Sequence, residues 1–88
     1  MPLVCLHGPL RKLAGGRPEL EVDGSTISEL LAALERDHPG LSGWIVDERG
    51  LIRRHINVFV NGEAGREHTS VHAQDRVEVL AAITGGGR

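Results

Sequence analysis

One helical stripe constrains this chain more than any other feature. Ile27, Leu30, Leu31 and Leu34 fall at i, i+3, i+4 and i+7, so they share one helix face that must be covered by something apolar. Thr26 and Glu29 stand at capping-box spacing before the stripe, where a hydroxyl and a carboxylate satisfy orphan N–H groups reciprocally. Glu29, Glu35, Arg36 and Asp37 read as the solvent side, and Pro39-Gly40 stops the helix.

Short strand signals flank the stripe. Pro2-Leu3-Val4-Cys5-Leu6 is an apolar run bounded by Gly8-Pro9. Arg11 to Arg17, with Gly15-Gly16, reads as a turn or loose loop. In Pro18 to Val22, Leu20 and Val22 alternate with Glu19 and Glu21, the period of a half-buried strand. These two segments can pair as an antiparallel hairpin with a long loop. Asp23-Gly24 makes a turn into the helix. Beyond it, Trp44, Ile45 and Val46 read as a short helical turn, and Asp47-Glu48-Arg49-Gly50 as a polar turn. Ile56 to Val60 is the clearest strand, and it ends at Asn61-Gly62, two residues that tolerate positive φ. Glu63 to Gln74 is polar and reads as loop, with Val71 as an inward anchor. Arg76 to Leu80 is the last strand, with Val77 and Val79 on one face.

The order is strand, strand, helix, strand, strand. It predicts an α+β domain, with one main helix covering one face of a four- to five-stranded sheet. A chain of 88 residues supports one such core. Aromatic residues make up only 2% of it, so the core is built from Leu, Ile, Val and Ala.

Several function classes are excluded. A formal net charge of -2 does not suit a binder that works by neutralising phosphates, nor a polybasic membrane anchor. No apolar run approaches the roughly 20 residues of a membrane span, and Met1 to Leu10 lacks the pattern of a signal peptide. The single cysteine, Cys5, excludes an intrachain disulfide and suits a reducing compartment; the cytoplasm is the expected location. His7, His38, His55, His68 and His72 have no metal-ligand spacing, so no metal site is expected. Cys5 reads as a packed hydrophobe, without a base or oxyanion site to make it a nucleophile. Gly15-Gly16 does not lead into a phosphate-binding helix, and the acids are dispersed. No catalytic residue is expected.

The C-terminus is the informative feature. It reads Ala81-Ala82-Ile83-Thr84-Gly85-Gly86-Gly87-Arg88. A carboxylate that must enter a partner's narrow channel needs a backbone without side chains, which glycine supplies. Residues 1–83 are therefore read as the folded domain and 84–88 as a flexible tail.

At this point the chain resembles the ThiS/MoaD family of ubiquitin-like, β-grasp sulfur carriers. The matching stretches are Gly8-Pro9-Leu10-Arg11, Gly24 to Leu31, His38-Pro39-Gly40-Leu41, Asn57 to Glu63, Asp75 to Val79 and Ile83-Thr84-Gly85-Gly86, in order along nearly the whole chain. The resemblance implies a mixed sheet with a β-grasp topology and a protein co-substrate rather than an enzyme. It implies that an E1-like adenylating and sulfurtransferase partner uses ATP to adenylate the terminal glycine, which becomes a thiocarboxylate. An acceptor synthase then takes the sulfur for molybdopterin, thiamin or cysteine biosynthesis. The carrier itself binds no cofactor. The family pair falls on Gly85 and Gly86, so the resemblance implies that Gly86 bears the thiocarboxylate once a zinc protease has removed Gly87 and Arg88; Gly87 as the working terminus is the alternative. For docking, Phe59 is expected on the exposed sheet side, with Leu80 near it. Arg53 and Arg54 can orient an acidic partner face or be a solvated pair. Two other readings stand beside the carrier: a ubiquitin-like modifier that forms isopeptides, and an interaction module with an inert tail.

Overall fold

The structure, a computed structural model, describes residues 1–81. Five strands form one mixed sheet: β1 (Leu3–Leu6), β2 (Glu19–Glu21), β3 (Ile56–Val60), β4 (Glu63–Ala64) and β5 (Arg76–Ala81), in the order β2-β1-β5-β3-β4. β1 and β5 run parallel at the centre, with Val4 opposite Val77 and Leu6 opposite Val79. β2 adds antiparallel to β1, and β3 antiparallel to β5.

The helices are α1 (Pro9–Leu13) and α2 (Ile27–Asp37). A single 3-10 turn, Pro39–Leu41, follows α2. The apolar stripe of α2 lies across one sheet face, and Ile27, Leu30, Leu31 and Leu34 are all fully buried. Val4, Leu6, Leu20, Val58, Val77 and Val79 meet it from the sheet. Leu41, Ile45 and Val71 close the edges of the same cluster. Burying each such side chain contributes about 1.5–3 kcal/mol, and no aromatic residue is needed. This is the expected α+β arrangement.

The N-terminus of α2 departs from a simple capping box. The Glu29 N–H donates to Thr26 Oγ1 at 3.2 Å, but the Glu29 carboxylate accepts from the N–H of Ser25 rather than of Thr26. The N–H groups of Ile27 and Ser28 donate to the carbonyls of Thr69 and Glu67. A loop distant in sequence thus completes the cap.

Four local expectations are corrected. Pro9–Leu13 is a short helix rather than loose loop, because Leu10 turns inward and is buried in the core. Glu63–Ala64 is a short strand rather than loop; Asn61 (φ 52°) and Gly62 (φ 86°) reverse the chain so tightly that Glu63 pairs back onto Val60. Trp44 to Val46 is not helical: Val46 bridges Ile52 around the polar turn at Asp47 to Gly50. Glu35 does not decorate solvent. Its carboxylate accepts the N–H groups of Gly43 (3.2 Å), Ile45 (3.0 Å) and Val46 (3.0 Å) and anchors the loop after the 3-10 turn.

Candidate functional site

The tail residues singled out in the sequence, Gly85, Gly86, Gly87 and Arg88, lie outside the described residues, as does the expected boundary at 83/84. The structure does position the base of that tail. Ala81 ends β5, a central strand, and pairs with Ile56 at the start of β3. Whatever follows Ala81 therefore leaves from the middle of the sheet, at the end that also carries Arg53, Arg54 and His55. β1 and β5 are parallel, so the turn at Gly8-Pro9 after β1 lies at this end too.

The sheet face opposite α2 carries the expected docking residues. Val58 pairs with Val79 in the core, so Asn57, Phe59, Glu78 and Leu80 all point to the other face. Phe59 stands opposite Glu78, and Leu80 opposite Asn57, so Phe59 and Leu80 are diagonal neighbours. Both are half-buried rather than exposed. The large apolar side chains that do stand in solvent are Met1, Trp44 and Leu51, at 62%, 49% and 41% exposure.

Charged pairs lie on the same face, toward β1 and β2. His7 Nε2 lies 3.5 Å from Glu78 Oε1, and Arg76 reaches Glu19 at 3.4 Å and Glu78 at 3.8 Å. These pairs are half open to water, and each contributes little stability. Cys5 sits beneath them on the same face and is buried. Burial pushes its thiol above the ordinary value; the nearby Arg76 pulls the other way, and Glu19 and Glu78 add to the rise. A thiol held protonated in this way is a poor nucleophile.

Among the described residues, no group of three or more His, Cys, Asp or Glu side chains could hold a metal ion. Every N–H of the first turn of α2 has a partner, so the helix start offers nothing to an anion. No helix of the described residues is long and apolar enough to cross a membrane.

Arg53 and Arg54 differ from a plain solvated pair. Arg54 is exposed, whereas Arg53 is half-buried and its Nε is fully buried without an acceptor. Arg66 joins them along one cleft, a neighbour that sequence spacing did not indicate.

A family model described as the ThiS family matches residues 4–86. The chain belongs to the ThiS family. Small archaeal modifier protein 1 of Haloferax volcanii is 34% identical over 83 residues, covering 92% of this chain and 95% of that protein. The sulfur carrier protein CysO of Mycobacterium tuberculosis is 30% identical, covering 88% of this chain and 89% of its own length. Among solved structures, a chain of the Amycolatopsis orientalis BexX/CysO complex superposes with a TM-score of 0.85 at 30% identity, over 94% of this chain and 97% of that one. The fold is the ubiquitin-like β-grasp shared by these neighbours, and the protein is a sulfur carrier or ubiquitin-like modifier by family.

Proposed function

We propose that this ThiS-family protein is a sulfur carrier whose working terminus is Gly86. The observation that carries the reading is the family match, which runs from residue 4 to residue 86 and stops at the second glycine of the pair. In the proposed cycle an E1-like enzyme transfers AMP from ATP to the terminal carboxylate and releases pyrophosphate. Sulfide from a donor then attacks the acyl carbon, AMP leaves, and a thiocarboxylate remains. That group later gives its sulfur to a biosynthetic acceptor and returns as a carboxylate. The chain supplies no catalytic side chain; it supplies a docking face and a reachable acyl group, and ATP stays with the partner. The cytoplasm, with its reduced thiols, suits both Cys5 and a thiocarboxylate.

The arrangement supports this reading physically. β5 is pinned on both sides, by β1 and β3, so the base of the tail is rigid. A partner gripping the half-buried Phe59 and Leu80 would sit beside that base. The similarity to a chain of the BexX/CysO complex supports a carrier that works in a complex. Arg88 requires removal of Gly87-Arg88 before activation, because a cationic side chain fits a glycine channel poorly.

The test is the intact mass of the protein recovered from its native cells. A mass lacking Gly87-Arg88, with one oxygen replaced by sulfur, is expected. A mass ending at Arg88 while the pathway runs would overturn it. The similarity to a small archaeal modifier protein favours a second reading, attachment to lysines of other proteins. Isopeptide-linked peptides ending in this chain's terminal glycine, found by mass spectrometry, would support that reading.

A further inference from the structure

The sheet end from which the tail leaves also holds an unusual group of charges. Arg53, Arg54 and Arg66 line one cleft of about 300 Å³, whose lining also includes Asn57 and Phe59. The topology brings them together. Arg53 and Arg54 precede β3, and Arg66 follows β4, which runs antiparallel to β3. The hydrogen bond from the Gly65 N–H to the Val58 carbonyl carries Arg66 back toward the start of β3. Ala81 ends opposite Ile56 at that same place.

Among the described residues, none of these three guanidinium groups takes part in an ion pair, although Arg36, Arg49 and Arg76 all do. The Nε of Arg53 is buried and has no acceptor. A buried donor without a partner is costly, so this atom is a local weak point of the cleft wall. Among the described residues lining the cleft the one acid is Glu67, which forms no ion pair with the three arginines. Its carboxylate accepts the Ile52 N–H at 2.8 Å; that bond, then the one from its own N–H, and more weakly the charges of Arg66 and His68, hold its pKa below the ordinary value. The chain carries a net charge of -2, so three arginines together without an ion pair are not a consequence of general basicity.

We propose that this arginine cleft is the docking site for carboxylates on the protein that receives the tail, so that it acts with the Phe59 face. The inference rests on the carrier reading, because a partner that takes the terminus must sit against the sheet end where β5 stops. Acidic side chains match the site in charge, and guanidinium forks bind carboxylates bidentately. Charge pairs of this kind steer association and set orientation, and salt weakens them.

Two measurements test this separately from the carrier reading. In the first, ATP–pyrophosphate exchange is followed with an E1-like adenylating enzyme from the same organism, using the chain ending at Gly86. The variants are Arg54→Gln, Arg66→Gln and the triple variant with Arg53→Gln. The expected result is a KM for the carrier raised about tenfold or more in the triple variant, with kcat unchanged and a flatter dependence of KM on salt. Arg54 and Arg66 are exposed, so their single variants keep the fold even if the triple variant does not. Unchanged KM in these single variants, and in a folded triple variant, would overturn the docking proposal and leave the carrier reading intact. If the wild-type chain is not adenylated, the carrier reading fails instead. The second measurement then decides the cleft: amide and arginine Nε–H shifts on titration with hexaglutamate, and separately with inorganic phosphate. Salt-sensitive shifts at residues 53, 54 and 66 with the peptide are expected. Their absence, or equal shifts with phosphate that block the peptide, would overturn a protein carboxylate as the occupant.

Discussion

Replacing Glu35 probes how the loop after α2 is held. Its Oε2 accepts from both Ile45 and Val46 at 3.0 Å, and its Oε1 accepts from Gly43 at 3.2 Å. Ile45 is fully buried, so its N–H cannot turn to water without moving a core side chain. Hydrogen bonds to a charged group contribute about 1.5–3 kcal/mol each, and two of these share one oxygen, so the three are not additive. Glu35→Ala is therefore expected to cost about 2–4 kcal/mol, a large share of the stability of a domain this size. Glu35→Gln keeps one acceptor oxygen, which can still serve Ile45 and Val46, and loses only the Gly43 bond and the charge; about 1 kcal/mol is expected. Urea unfolding of the three proteins, with unchanged slope, gives the numbers. Amide exchange should accelerate at residues 43, 45 and 46 before it does in the strands. A loss below about 0.5 kcal/mol for Glu35→Ala, or equal losses for Ala and Gln, would refute the reasoning.

Three further outcomes are expected. Gly24→Ala places a Cβ 2.7 Å from the backbone N and Cα of Leu30, which cannot yield without shifting α2; a loss of about 1–3 kcal/mol should appear as a lower Tm. Phe59→Ala removes a half-buried ring from the outer face, so the domain should remain cooperatively folded by circular dichroism while the KM for the activating partner rises; loss of the folded state would instead make Phe59 a core residue. Backbone hydrogen bonds hold three carboxyls below their ordinary values: Asp47 mainly through the Leu51 N–H, Glu67 mainly through the Ile52 N–H, and Asp75 through the His72 N–H and then the Asn61 amide. Groups with lowered folded-state pKa stabilise fully above the unfolded values and lose that contribution as pH falls through the folded ones. Urea midpoints should thus be insensitive to these groups near neutrality and drop below about pH 4, less steeply in Glu67→Gln.

Much of the architecture was legible because it depends on local period. The stripe from Ile27 to Leu34, the alternation in β3 and β5 and the Asn61-Gly62 reversal each express one physical rule over a few residues. β4 escaped because two residues are too short to show a period, and its pairing follows from the turn. α1 escaped because only Leu10 and, less deeply, Leu13 pack inward from it. The half-burial of Phe59 and Leu80 was equally hidden, since exposure on a sheet face depends on neighbouring strands.

The linear order of residues alone settles the helix stripe, the aliphatic character of the core and the glycine run beyond Ala81, since each is a property of composition or of spacing along one segment. It also carries the ThiS-family likeness. Long-range placement belongs to the folded chain. Pairing β1 with β5 puts the N-terminal and C-terminal strands side by side, so the tail starts from the centre of the sheet. Glu35 finds its three N–H donors, and Arg53, Arg54 and Arg66 converge beside the tail base, only through such crossings. Residues separated by a dozen positions meet because the core closes around them, and no pattern within either segment records the meeting.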